Sequence, residues 1–214
     1  MKTPSILNII LAVALVILSC KIAFLDGDGK NDAKSDAGSA IDNIMTRTSI
    51  RAYKDTPVEK EKIDTLLKAG MAAPTAKNKQ PWHFIVVTDK AKLNTIAEIT
   101  PNAKMAAGAP LAIVVCGDMS KAMEGEGQAM WVQDASAATE NILLAAHAIG
   151  LGAVWTGTYP YKDRTAAVTK LFDLPQGVIP FCTIVIGYPD ESPAPKDKWK
   201  PENVSYEAYG NAGN

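Results

Sequence analysis

Residues 72–84 read Ala72-Ala73-Pro74-Thr75-Ala76-Lys77-Asn78-Lys79-Gln80-Pro81-Trp82-His83-Phe84, a stretch that passes from the end of a helix straight into a buried strand. Upstream of it, Ile63, Leu66, Leu67 and Met71 recur at helical spacing, and Thr56-Pro57-Val58-Glu59 supplies an N-cap, a proline at the first position and an acidic first turn. A helix over 57–72 follows, ended by Pro74. Downstream, Phe84-Ile85-Val86-Val87 is a continuous apolar run that predicts a strand over 83–88.

Working outward, the same criteria predict a short helix at 42–45, a polar lysine-rich helix over 89–99 and a β-branched strand over 111–116. The longest helical pattern covers 129–149. Its Val132, Ala135, Ala138, Ile142, Leu143, Ala145 and Ala146 give apolar cover on more than one side, so the helix is central. Its small residues allow close packing either inside one protomer or between two. A short strand at 153–155, a helix at 166–172 and an apolar strand at 181–187 complete the pattern. Beyond it, Pro193, Pro195 and Pro201 break regular structure, which suits an arm reaching over a neighbouring subunit.

The chain has 214 residues, 47% of them hydrophobic and 21% charged, with a net charge of -1. That is the composition of a globular domain and gives no electrostatic basis for a nucleic-acid partner. Cys20, Cys116 and Cys182 are far apart and show no zinc spacing; Cys116 and Cys182 lie in apolar runs and read as small core residues. His83 and His147 have no partner pattern for acid–base work and read as packing residues. Gly125-Glu126-Gly127 is too short for a dinucleotide fingerprint.

Residues 1–25 read as an address rather than core: Lys2 is a short positive region and an apolar stretch over 6–18 follows. Val16-Ile17-Leu18-Ser19-Cys20 resembles a bacterial lipobox, which would make Cys20 a lipidated attachment point in the cell envelope; an uncleaved membrane anchor is the competing reading. If neither holds, the chain is cytoplasmic. Residues 26–39 have the Gly, Asp, Asn, Lys and Ser composition of a flexible linker, placing the folded domain at 40–214.

Chemistry concentrates first in Arg47-Thr48-Ser49-Ile50-Arg51. In an extended conformation residues 47, 49 and 51 face one way and present Arg, Ser and Arg to an anion such as phosphate. Alone, the segment is better read as a solvated basic strip, since Arg and Ser are ordinary surface residues.

Together with residues 74–82 it carries more weight. An Arg-x-Ser-x-Arg segment followed by Pro-Thr-x-x-Asn-x-Gln-Pro-Trp, then Gly150-Leu151-Gly152-Ala153-Val154-Trp155-Thr156-Gly157 and a proline-rich basic tail over 196–201, resembles the nitroreductase family across about residues 40–206. The resemblance implies an α+β fold with a central, mostly antiparallel sheet flanked by helices, and an intertwined homodimer holding non-covalent FMN. It further implies that Arg47, Thr48 and Ser49 serve the phosphate, with Lys198 or Lys200 from the tail, where Trp199 stands in place of a further basic residue of many relatives. Arg51 would face the flavin's pyrimidine edge. Pro74, Thr75, Ala76 and Asn78 would reach the flavin across the dimer interface, shaped by Gln80 and Trp82. Val154 and Trp155 would pack near the ring, and a backbone N–H near Thr156 and Gly157 would face flavin N5. Residues 119–131 would form a cover where acceptors are selected.

On this resemblance the chain is expected to be an FMN-dependent enzyme that carries hydride from NAD(P)H through flavin N5 to nitroaromatic or quinone-like small-molecule acceptors in ping-pong fashion. The cofactor does the chemistry, so no catalytic protein nucleophile and no metal are needed. Two other readings are a specialised relative of the reductive dehalogenase or flavin-cleaving type, and an exported flavin-binding lipoprotein with a partner electron donor.

Overall fold

The computed structural model describes residues 33–212. The predicted address at 1–25 and the linker up to residue 32 lie outside them. The first helix, α1, spans Ala33–Thr46, so residues 33–39, expected as linker, are helical. Alanine and lysine in this stretch are good helix formers, and its polarity had hidden that. Residues 43–212 belong to one compact unit, which begins at Asn43.

After α1 come α2 (Lys60–Met71), β1 (Trp82–Val87), α3 (Lys90–Ile99), β2 (Leu111–Asp118), α4 (Trp131–Ala148), β3 (Gly152–Gly157), α5 (Lys162–Leu171) and β4 (Val178–Gly187). The four strands form one sheet in the order β1-β2-β4-β3, and every pairing is antiparallel. Helix α2 begins three residues later than the sequence predicts. Glu59 takes the N-cap position without a side-chain cap, because its carboxylate instead accepts the Tyr188 hydroxyl at 2.8 and 2.7 Å.

Helices cover both faces of the sheet, which explains the unbroken apolar runs of β2 and β4. On one face Leu111, Ile113, Val115, Ile184 and Ile186 pack with Leu66 of α2 and Ile142 of α4. On the other, Ala112, Val114, Cys116 and Val185 pack with Leu93 and Ile96 of α3 and Val168 of α5. Helix α4 buries Trp131, Ala135, Ala138, Ile142 and Ala146, spaced at helical period, within its own protomer. Gly70 lets α2 approach it, since a Cβ there would stand 2.9 Å from Ile142.

Burial pushes the thiols of Cys116 and Cys182 up to about 12, as apolar surroundings disfavour a thiolate. Both are therefore expected to escape iodoacetamide in the native protein, as judged by peptide mapping. The sign for stability is equally clear. Ordinary thiols titrate near 9.0, so above that pH the unfolded chain releases protons that the folded one retains. Stability is expected to fall as pH rises from there towards 12, measured by denaturant midpoint.

Candidate functional site

The end of α1 is fastened to α4. The Asn43 side-chain amide donates to the Leu144 carbonyl at 3.0 Å, Thr46 Oγ1 and His147 Nε2 lie 3.0 Å apart, and Arg47 Nε is 3.6 Å from a Glu140 carboxylate oxygen. Thus His147 has a polar partner, and His83 is exposed on β1; neither lines the cavity described below.

From Arg47 the chain becomes extended and runs against the outer edge of β3. Ser49 pairs with Ala153, and the Ile50 N–H donates to the Ala153 carbonyl at 3.1 Å. Ile50 turns inward over Gly152, where an added Cβ would lie 2.7 Å from the Ile50 side chain. That inward turn sends Arg47, Ser49 and Arg51 the other way. Further on, the Tyr53 hydroxyl is shared between the Ile50 and Val185 carbonyls, the latter at 3.0 Å. Burial first, then the nearby Glu191 charge, raises the Tyr53 pKa and keeps this hydroxyl a donor. Glu191 accepts the backbone N–H groups of Arg51 and Ala52.

The outward-facing groups open into a cavity of about 630 Å³, lined by Arg47, Thr48, Ser49 and Arg51 on one wall and by the tail, including Lys196, Lys198 and Trp199, on the other. The tail thus forms one wall of a cavity in its own chain. Lys200 is not among the lining residues; it precedes the short 3₁₀ turn Pro201–Asn203. Against four cationic side chains stand two carboxylates, Glu140 and Asp197, so positive charge dominates. Sequence reasoning missed Ile44, Met45 and Glu140 as lining residues, since α1 and α4 supply them from positions with no local signature of a site.

Main-chain direction extends the site along β3. Thr158 N–H donates to the Phe181 carbonyl at 3.1 Å, and antiparallel ladders alternate, so Val154 and Thr156 turn their main-chain groups towards β4. Ala153, Trp155 and Gly157 turn theirs to the outer edge. The Ala153 carbonyl there accepts from Ile50, and the Gly157 carbonyl accepts from Arg164 Nη1 at 3.2 Å. The N–H groups of Trp155 and Gly157 therefore point outwards along an edge that begins at the cavity and runs roughly 13 Å beyond Ala153. The Trp155 ring packs edge-on to Phe181 with centroids 5.5 Å apart, and Thr156 is buried with its hydroxyl donating to the Thr183 carbonyl at 2.8 Å.

Residues 74–80 lie elsewhere and do not line the cavity. They form a tight loop between α2 and β1 in which Lys77, Asn78 and Gln80 have φ of 47°, 53° and 50°. Gln80 N–H donates to Thr75 Oγ1 at 3.1 Å, and Gln80 Nε2 donates to Asn78 Oδ1 at 3.0 Å. This arrangement occupies the Asn78 oxygen and leaves its Nδ2 as the group offered outwards. Pro74 and Asn78 are exposed, while Pro81 and Trp82 are buried.

The donor set fits a phosphate-bearing aromatic cofactor such as FMN: forked guanidiniums, hydroxyls and flexible ammonium groups surround the cavity, with outward N–H groups beyond it. Among the described residues no cluster of His, Cys, Asp or Glu could hold a metal ion.

Comparison with known proteins gives one consistent set of relatives. The model of the nitroreductase family matches residues 44–103 and 99–188. A protein of Methanothermobacter thermautotrophicus, named as a candidate NADH dehydrogenase/NAD(P)H nitroreductase, is 45% identical over 179 residues, covering 83% of this chain and 92% of the relative. The crystal structure of a protein given the same candidate name, from Bacteroides thetaiotaomicron, superposes with a TM-score of 0.76 at 47% identity, covering 80% of this chain and 98% of the other. An FMN-dependent nitroreductase from Clostridium difficile gives 0.73 at 33% identity, covering 79% and 99%.

Proposed function

The chain belongs to the nitroreductase family of FMN-dependent NAD(P)H oxidoreductases, and from that premise we propose that it binds FMN non-covalently and reduces nitroaromatic or quinone-like acceptors by a ping-pong cycle. The observation that carries the reading is the cavity: Arg47, Thr48, Ser49 and Lys198 meet there from opposite ends of the chain.

FMN held there would supply the redox chemistry, a hydride exchange between reduced nicotinamide and the acceptor. The chain binds and orients. Arg47 and Ser49 hold the phosphate with Lys198 or Lys196, the two tail lysines that line the cavity. Arg51, on the same wall, would offset negative charge on a reduced ring, and the outward N–H at Gly157 would be available to it as a donor. Asn78 Nδ2 of a second copy completes the cofactor site, so the working unit is a homodimer. The apolar sequence at 6–18 and Cys20 support attachment to the cell envelope, tested by the mass of the mature N-terminus.

The primary test is the absorption spectrum of the purified protein under anaerobic NADH or NADPH, then with a nitroaromatic. Flavin colour that bleaches and returns supports the reading; protein that cannot take up FMN overturns it. Two variants probe individual roles. A Cβ at Gly157 would meet nothing within 4 Å in this chain, so Gly157→Val is expected to leave thermal stability near wild type while weakening FMN binding at least tenfold. Arg51→Ala is expected to lower the flavin potential by roughly 10–30 mV, as loss of a partly screened cation corresponds to about 0.5–1.5 kcal/mol over two electrons. An unchanged potential in spectroelectrochemical titration would remove Arg51 from that role.

A further inference from the structure

Asp134 lies in the first turn of α4 and is only 5% exposed, yet it is a carboxylate in a protein whose core is otherwise apolar or hydroxylic. Burying such a group is unfavourable unless it is hydrogen-bonded. Its Oδ1 accepts the backbone N–H of Ala76 at 2.9 Å. Neither the cavity nor the β3 edge uses Asp134, so its place in the fold calls for another account.

That account lies in the loop it touches. Three of the residues from Lys77 to Gln80 adopt left-handed backbone conformations that side-chain-bearing residues take up at a cost, so the loop needs external restraint. Its ends are held by packing, with Ala73 and Trp82 clustered on Ala138 of α4. Its Thr75–Gln80 and Gln80–Asn78 hydrogen bonds are internal and move with it. Among the described residues, the Asp134–Ala76 hydrogen bond is what ties the loop's interior to the rest of the fold.

We propose that Asp134 is a positioning residue for the cofactor: through the Ala76 N–H it sets the placement of residues 74–80, and with it the direction in which Asn78 donates. The proposal rests on the reading that this loop contacts FMN. It also accounts for a carboxylate one turn before Ala138, where an apolar side chain would satisfy packing alone.

The hydrogen bond can be removed from either side. Asp134→Ala deletes the acceptor. Ala76→Pro deletes the donor at the first position of a 3₁₀ turn, after a Thr75 whose extended backbone (φ -137°, ψ 157°) accommodates a following proline. Each full-length variant is expected to bind FMN about tenfold more weakly by fluorescence titration of apoprotein. The double variant is expected to be no weaker than either single one, because both remove the same interaction. Asp134→Asn, which retains an acceptor oxygen, should bind within about threefold of wild type. Amide exchange over residues 74–80, measured without FMN, should accelerate in Asp134→Ala and Ala76→Pro but not in Asp134→Asn.

Losses in affinity that add in the double variant, or loop exchange unchanged in Asp134→Ala, would overturn the proposal. Should Asp134→Ala fail to fold, Ala76→Pro and Asp134→Asn decide alone: normal loop exchange and affinity in Ala76→Pro would overturn it. Wild-type protein that takes up no FMN would sink the cofactor reading and the positioning role with it. The exchange experiment would still show whether Asp134 pins the loop, so the two failures are distinguishable.

Discussion

Replacing Arg47 by alanine is expected to raise the FMN dissociation constant by about 10–100-fold while leaving the fold intact. A charge-assisted hydrogen bond contributes about 1.5–3 kcal/mol, which converts to that range at about 1.4 kcal/mol per decade. The Arg47 side chain is 17% exposed and held by α1 and α4, so little ordering is left to do when an anion arrives. Its present ion partner, Glu140, is 48% exposed, and losing such a pair costs at most about 1 kcal/mol. Arg47→Lys should fall between, keeping charge but losing the planar fork. Equilibrium titration of apoprotein with FMN checks the effect; affinity unchanged in Arg47→Ala would exclude the cavity as the phosphate site.

The second large effect concerns stability. Gly117→Ala is expected to lower the melting temperature by about 2–12 °C, because its new Cβ would fall 2.3 Å from Cε3 of Trp131 and 2.9 Å from Met119. Trp131 is 5% exposed and stacked edge-on against Tyr159 and Phe181, with centroids 4.9 and 5.9 Å away, so its ring has no free direction of retreat. Overpacking of this kind costs about 1–3 kcal/mol, and a kcal/mol corresponds to about 2–4 °C in a domain of this size. Gly108→Ala, where a Cβ meets nothing within 4 Å, is the matched control and should melt within about 1 °C of wild type. Equal melting of the two variants by calorimetry would show that Trp131 can yield.

Much of this fold is legible in local pattern. The apolar run Phe84-Ile85-Val86-Val87 marks a strand by its β-branched and aromatic content although Val86 is exposed on this edge strand, and the helical period around Leu66 and Ile142 marks α2 and α4. Boundaries are less legible where a side chain serves two elements. Glu59 is drawn to Tyr188, and α2 starts late. Sheet order cannot be read locally, since the pairing of β2 with β4 joins strands separated by α4, β3 and α5. At the site, the segment 47–51 and the loop 74–80 stand out by their own chemistry. Glu140, Ile44 and Met45 do not, being ordinary helix residues until the fold sets them around a cavity. Asp134 is equally silent in sequence, because an aspartate in a first helical turn is commonplace and only its burial distinguishes it.

The two walls of the cavity come from residues 44–51 and 193–199, on either side of the whole sheet in chain order. A polypeptide leaves the ribosome from its N-terminus at about 5–20 residues per second, so the first wall waits through nearly all of synthesis for the second. The cavity therefore lacks its second wall until residues 193–199 have been added. Whatever anion the cavity takes, its two walls can grip it together only after the sheet between them has been made, so uptake is a property of the nearly finished chain.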